Sequence, residues 1–470
     1  MLNRYRPYFI WAVLILGAYM AIVFSVGKYY LDDNARVLNG YYDWQNNGRP
    51  LASAIVYLVN FGNRLTDISP LAQMLSIFLC AAFCAIISSD VIRKSALISV
   101  VASSFLFTSP LFIQNLSFRF DAITMCFSIF ILIVPFIKEI RISPLRFYIA
   151  SFLCVHASLL TYQASIPVYY ACLCIVQVTD QRMSFRACVI SLASASASLL
   201  AYVAITSKIF IKSVYAENVG GVISLSDPSL YEKLYRTWRI ATYPFTVSFD
   251  YFFIAAFIPV IAFAASVILY KIVRNKTLDS VSIALPIVAF VCSFLMFYIL
   301  ENPNINPRMM VWASAILVIA FSISAIYMPR IAFFLVVSIP LAYVFSFAND
   351  YLISQSRQFS FEKQIINEVA IDAKLNGVNG DIYISGRAPL HKQTGDIIRK
   401  RPLISDLMRQ DIGTWSTAMF ATLEYPMKRW FIADENMTSR RCNDVIVPWN
   451  GVYTISKTDS NAVVSFKPCD

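Results

Sequence analysis

The chain has 470 residues, 58% of them hydrophobic and 14% charged, with a formal net charge of +11 and a mean hydropathy of +0.61. A soluble globular chain averages about 45–50% apolar and about 25% charged residues, so the bulk of this one is read as dissolved in lipid. The basic excess lies in the apolar half, which points to anchoring in lipid and away from nucleic acid.

The first apolar run, Tyr8–Gly27, is too long for a signal-peptide core and has no small-residue cleavage site before Lys28. It is read as a retained membrane helix. Further apolar stretches follow at 69–89, 96–113, 121–137, 146–161, 165–179, 187–210, 251–270, 281–300, 309–327 and 331–347. A bilayer core takes roughly 20 helical residues, so these predict about 11 transmembrane helices. Short loops dense in Lys and Arg (Arg4/Arg6, Arg93/Lys94, Lys138/Arg141/Arg146, Lys271/Arg274) alternate with longer, mixed-charge loops. The positive-inside rule then places the N-terminus in the cytoplasm, and an odd number of spans places the tail outside.

Two long outer loops are predicted. The first, 28–68, contains "YYLDDNARVLNGYYDWQNNGRPL" and "LASAIVYLVNF". Its apolar run is too short to cross and is read as part of two short interfacial helices flanked by Tyr41, Tyr42 and Trp44. The second, 211–250, has a Gly-Gly turn, a helix cap at Ser226 or Asp227, and a basic-aromatic helix through Tyr231, Lys233, Tyr235, Arg236, Trp238 and Arg239. Such a helix suits either a sugar or lipid head group, or plain interfacial anchoring.

In the tail, 349–470, "FSFEKQIINEVAIDAKLNG" has helical spacing ending at Gly377, and "DIYIS" reads as a strand. "TGDIIRKRPLISDLMRQ" is helical with a break at Pro402, and "DVIVPWNGVYTISKTDSNAVVSFK" reads as two or three closing strands. The fold class predicted is thus an all-α polytopic membrane bundle, residues 1–348, followed by a small outer α/β domain, 349–470. Eight of ten cysteines lie in apolar spans and behave as small hydrophobes. Cys442 and Cys469 lie in the tail, where an outer compartment lets them pair.

Ionisable groups at the rim of a bilayer are costly and mark function by default. Four clusters face outward: Asp32, Asp33, Arg36, Asp43, Trp44 and Arg49; Arg119 and Asp121 in "NLSFRFDA"; Tyr162 and Gln163 in "TYQAS"; Glu301, Asn302 and Arg308 in "ENPNINPRMM". The plainer reading makes them loop charges and snorkelling anchors. Adjacent acids beside a bilayer repel each other, however, and Arg36 lies three and four residues on, where it can steady either. With two histidines, neither a His triad nor a zinc site is indicated, and there is no P-loop motif.

A carboxylate base with arginines beside lipid suits transfer of a sugar from a lipid phosphate. The carboxylate takes the acceptor hydroxyl's proton, and guanidinium groups hold the leaving phosphate. One base without a covalent intermediate implies inversion at the anomeric carbon. A divalent metal is compatible with this but not required, and no metal site or cofactor is expected.

An apolar span followed by "LDDNAR" resembles the GT-C superfamily of polytopic glycosyltransferases. "DDNARVLNGYYDWQNNGRPL", "SFRFDA" and "TYQAS" look like the type II family of bacterial O-antigen, serotype-converting glucosyltransferases. The resemblance implies a GT-C-like inner-membrane enzyme with a periplasmic site and a periplasmic C-terminal domain. Its donor would be undecaprenyl-phosphate glucose and its acceptor lipid-linked O-antigen, with a companion flippase and donor synthase. Carried over, the catalytic acids fall on Asp32 as base and Asp33 as its neighbour. Arg119 and Arg308, with Arg36 and Arg49, would meet the donor phosphate. Asp43, Trp44, Asp121, Tyr162, Gln163, Glu301 and Asn302 would meet sugar. Two alternatives remain: an O-antigen polymerase, in which Arg236 and Arg239 would carry more weight, and a transporter or flippase for lipid-linked sugar, which would want charges along the spans.

Overall fold

The computed structural model describes residues 2–25, 27–179, 183–213, 227–243, 250–274, 277–295 and 306–469. The chain divides into two compact units. The first comprises Met1–Phe24, Tyr42–Asn63 and Asp67–Ala348; the second comprises Ser25–Tyr41, Arg64–Thr66 and Asn349–Asp470.

The first unit is helical. Among the described residues, six helices are long and apolar enough to cross a membrane: Asn3–Phe24, Leu71–Ile92, Phe185–Phe210, Tyr251–Arg274, Leu278–Leu295 and the start of Arg330–Leu375. A seventh is counted if Ala96–Thr108 and Pro110–Ser117, bent by 49° at their junction, form one span. The break has a local cause. Ser109 leaves helical geometry and its side chain accepts from the Leu111 N–H, while Pro110 cannot continue the ladder. The expected spans at 121–137, 146–161, 165–179 and 309–327 fall on helices of 10–17 residues, as does the non-crossing stretch Pro50–Asn60.

The first helix packs on Leu71–Ile87 and Ala96–Thr108, and Ala96–Thr108 packs on Val311–Tyr327. Phe105 and Phe321 stack there at 3.7 Å between ring centroids. A polar cluster ties one end of the bundle. Asp90, 1% exposed, accepts from Arg4 and from the Tyr5 hydroxyl, each at 2.9 Å, and from the Lys138 N–H at 2.8 Å. Arg4 also pairs with Glu139. A buried carboxylate with three donors is the arrangement in which its desolvation cost is offset. Asp121 precedes the helix Ala122–Ile133 and Lys138 follows it, so the candidate residues around Asp121 lie at the opposite end from this cluster.

The second unit is a five-stranded mixed sheet against helices. Its strands are β1 (Ile382–Ser385), β2 (Trp430–Ile432), β3 (Val445–Val447), β4 (Thr454–Thr458) and β5 (Asn461–Ser465), in the order β2-β1-β5-β4-β3. β1 runs parallel to both β2 and β5, with Ile382 opposite Trp430 and Ala462. β4 runs antiparallel to β5 and β3.

The predicted helix ending at Gly377 continues the last apolar span without a break, as one 46-residue helix, Arg330–Leu375. At 1.5 Å per residue this is roughly 69 Å, more than twice a bilayer core. The apolar stretch ends before Asp350, and the remainder presents Ile365, Ile366, Val369 and Ala373 to Ile382, Ile384, Ile455 and Val464 of the sheet. Gly377, at φ +72°, ends the helix where a side chain would be strained. Cys442 and Cys469 are disulfide-bonded, with Cα atoms 5.4 Å apart.

The sequence reading placed all of 28–68 with the membrane half; in the structure residues 25–41 and 64–66 belong to the second unit. It also assigned no strand at Trp430–Ile432 and no helix at Thr417–Glu424. Three residues are too few to display an alternating period.

Candidate active site

The candidate residues form two groups, one in each unit. In the second unit, Asp32 and Asp33 open the helix Asp32–Asn39. Carboxylates in a first turn meet the positive end of the helix dipole. The residue before them, Leu31, sits at φ +46°, a left-handed conformation costly for a branched side chain and concentrated at functional sites. Asp33 is fully buried. Its Oδ2 accepts from the Tyr30 N–H at 3.0 Å, and its own N–H donates to the Tyr30 carbonyl at 3.1 Å, closing a tight turn. Asp32 is half-buried. Arg36 is buried with its guanidinium 5.6 Å from the Tyr41 ring centroid. Gly40 caps the helix at φ +70°, and its carbonyl accepts from the Leu65 N–H.

This segment is fastened to the rest of its unit by buried polar contacts. Lys28 Nζ lies 2.7 Å from Asp411 Oδ2, the side chains being 3% and 1% exposed, and donates to the Arg409 carbonyl at 2.6 Å. Asn34 Nδ2 donates to Asp411 Oδ1 at 3.1 Å, and the Tyr30 hydroxyl donates to the Leu407 carbonyl. Glu362 receives the Asp411 N–H at 2.7 Å and Gln358 Nε2 at 3.0 Å. One lysine thus serves two buried acids.

Burial and then the Asp411 charge push the Glu362 carboxyl up to about 7. Burial likewise raises Asp411, with Lys28 opposing. Glu362 therefore holds a proton in the folded state at pH values where the unfolded carboxyl has released it, while Asp411 stays paired with Lys28. Stability of this unit should fall as pH rises from about 4.5 to about 7 and stay lower above. Hydrogen exchange of the β1 and β5 amides is expected to be faster at pH 8 than at pH 5, after correction for intrinsic rates, and Glu362→Gln should reduce that difference.

In the first unit, residues from all four expected clusters come together. Trp44, 1% exposed, donates its indole N–H to Asp121 Oδ1 at 2.5 Å. The Arg49 guanidinium lies 5.4 Å from the Tyr162 ring centroid. The Tyr162 hydroxyl donates to the Arg308 carbonyl at 2.8 Å, where Asn115 Nδ2 also donates at 3.0 Å. The Arg308 N–H donates to Gln114 Oε1 at 2.7 Å. The backbone at Arg308 is thus held from both sides, and its guanidinium lies 4.8 Å from the Phe118 ring centroid. Gln163 donates to the Tyr202 hydroxyl at 2.7 Å, which donates to the Gly48 carbonyl at 2.9 Å. Asp43, at φ +40°, accepts from Asn46.

Arg119 is paired with Asp67, so an anionic ligand would compete with that carboxylate. Glu301 and Asn302 lie outside the described residues, as does most of 211–250. Within that loop the described helix Leu230–Tyr243 follows Asp227, whose carboxylate accepts from Ser229.

Sequence reasoning missed Lys28, Asn34, Glu362 and Asp411, and the supports Asp67, Gln114 and Asn115. Lys28 follows an apolar run, and nothing local ties it to a partner near residue 410. Gln114 and Asn115 did carry a signal, as adjacent amides at the end of an apolar run.

Comparison with known proteins bears on what these groups belong to. The family model "Glucosyl transferase GtrII" matches residues 21–347. The chain belongs to that family. The GtrII match spans both acids and the first-unit site residues from Asp43 to Arg308, and it ends before the sheet. The chain is also 34% identical over 142 residues to an uncharacterized 55.3 kDa protein in the gtrB 5′ region of Salmonella phage P22. That similarity covers 30% of this chain and 29% of the phage protein. No solved structure matches the chain.

Proposed function

We propose that this GtrII-family chain is an inverting glucosyltransferase of O-antigen modification. It moves glucose from undecaprenyl-phosphate-glucose to lipid-linked O-antigen on the periplasmic face of the bacterial inner membrane. The observation that carries the reading is the family match across residues 21–347, which includes an acid pair just beyond the first membrane helix.

Asp32 is the base. It takes the proton of an acceptor hydroxyl as that oxygen bonds to the anomeric carbon. The bond from that carbon to the phosphate oxygen breaks on the opposite face, and its electron pair leaves with polyprenyl phosphate. Asp33 orients the turn that carries Asp32. Arg308 is assigned to the leaving phosphate, and Arg119 joins it only by exchanging Asp67 for that anion. Arg36 and Arg49 brace the loop. Trp44, Asp43, Asp121, Tyr162 and Gln163 serve the sugar side, as do Glu301 and Asn302 on the resemblance alone. Four of the five apolar helices of 10–17 residues, all but Pro50–Asn60, are counted as crossings too, giving eleven with the bent pair as one. A companion flippase and donor synthase would supply the carrier-linked glucose on the outer face.

Membranes bearing the chain, given radiolabelled polyprenyl-phosphate glucose and a lipid-linked O-antigen acceptor, should move label to the acceptor. Absence of transfer with both substrates present removes the reading. Orientation has its own test. A membrane-impermeant thiol reagent applied to spheroplasts should label Cys442 and Cys469 only after reduction of their disulfide. Labelling confined to inverted vesicles would place the tail in the cytoplasm.

A further inference from the structure

The second unit contains a cavity of about 570 Å³ at the carboxyl ends of β1 and β2. This volume falls in the range of small-ligand sites, and the crevice beyond the carboxyl ends of parallel strands is where open α/β sheets take ligands. Its lining includes Ser385, Arg387, Thr414, Trp415, Thr438 and Lys467. No carboxylate lines it, and neither Arg387 nor Lys467 makes an ion pair among the described residues. Trp415 is 51% exposed, a large apolar face left open beside hydroxyls and two cations.

The cavity wall is built, not incidental. Gly413 sits at φ +103°, and a Cβ there would come within 2.6–2.8 Å of Arg387 Cα and Cβ, so the two loops are in close contact. Thr417 Oγ1 donates to the Asp411 carbonyl at 2.8 Å, and the Gly413 and Thr414 N–H groups donate to that same hydroxyl oxygen at 3.0 Å. Asp411 is also the residue whose side chain holds Lys28 and Asn34. The segment 411–417 therefore forms the cavity wall at one end and grips the Asp32/Asp33 loop at the other.

We propose that this cavity binds a sugar residue of the acceptor glycan, with the pyranose face on Trp415 and its hydroxyl or acidic groups on Arg387, Lys467 and the threonines. An indole face beside fixed hydrogen-bonding groups is the chemistry that takes an amphipathic ring. This rests on the proposed transfer reaction and gives the tail, which lies beyond the family match, the task of retaining the polymer.

The test uses the full chain in nanodiscs. The probe is lipid-free O-polysaccharide released from lipopolysaccharide by mild acid, with dextran as the unrelated polymer. Isothermal titration should show the O-polysaccharide binding to the wild type and to Asp32→Asn alike. Trp415→Ala and Arg387→Ala should each weaken binding about tenfold, with Trp415→Phe restoring most of it. In the transfer assay the loss should fall on KM for the acceptor. Equal affinity in wild type, Trp415→Ala and Arg387→Ala overturns the proposal, as does equal binding of dextran. A wild type that binds glycan in the expected mutational pattern but transfers no glucose would instead refute the transfer reading and leave the cavity assignment standing.

Discussion

A chain carrying Asp32→Asn is expected to insert and fold normally yet transfer glucose about 10²–10⁴-fold more slowly, the range general-base catalysis typically supplies. An amide occupies the same space but cannot accept the acceptor's proton. Asp33→Asn should do less, because an amide oxygen can still receive the Tyr30 N–H that Asp33 Oδ2 receives at 3.0 Å. Asp33 is also fully buried, which suits a residue that shapes the turn better than one that meets substrate. Initial rates of label transfer for the two variants, normalised to membrane content, decide the matter. Wild-type turnover by Asp32→Asn, or a larger loss in Asp33→Asn, would reassign the base.

Lys28→Met should destabilise the second unit by about 3–5 kcal/mol, the usual cost of removing one partner from a buried ion pair. Without the ammonium, Asp411 and Glu362 share a dry interior with no opposing charge, against a domain stability of typically about 5–15 kcal/mol. Hydrogen exchange should show faster opening of β1 and β5, and transfer should fall because the segment bearing Asp32 loses its attachment. Removing both partners of such a pair is often close to neutral. Lys28→Met with Asp411→Leu is therefore expected to regain most of the protection. Unchanged exchange in the single variant would show that the pair contributes nothing to holding the loop.

Helix positions were legible because lipid burial writes a continuous apolar run, and each predicted crossing falls at least in part on an observed helix. The tail's secondary structure was legible for a different reason: Gly377, Pro402 and the alternating strand segments punctuate it locally. The acid pair was visible as a conflict, two like charges placed where charge is expensive. Its surroundings were not. Lys28 and Arg409 are separated by 381 positions, and a single lysine after an apolar run looks the same whether it faces lipid head groups or a buried aspartate. The pairing of Arg119 with Asp67, 52 positions away, was hidden in the same way. Periodicity reports which face of an element is buried but not which charge waits there.

The interleaving of the second unit has a consequence for biosynthesis. Lys28 and Asn34 are translated just after the first membrane helix, but the aspartate they clasp emerges only after the rest of the bundle. Until Asp411 leaves the ribosome, the segment carrying both acids lacks the partner that seats it. A nascent chain halted within the last spans would sit in the membrane without a finished acid pair, so on the proposed chemistry the catalyst becomes competent only after Asp411 has been made.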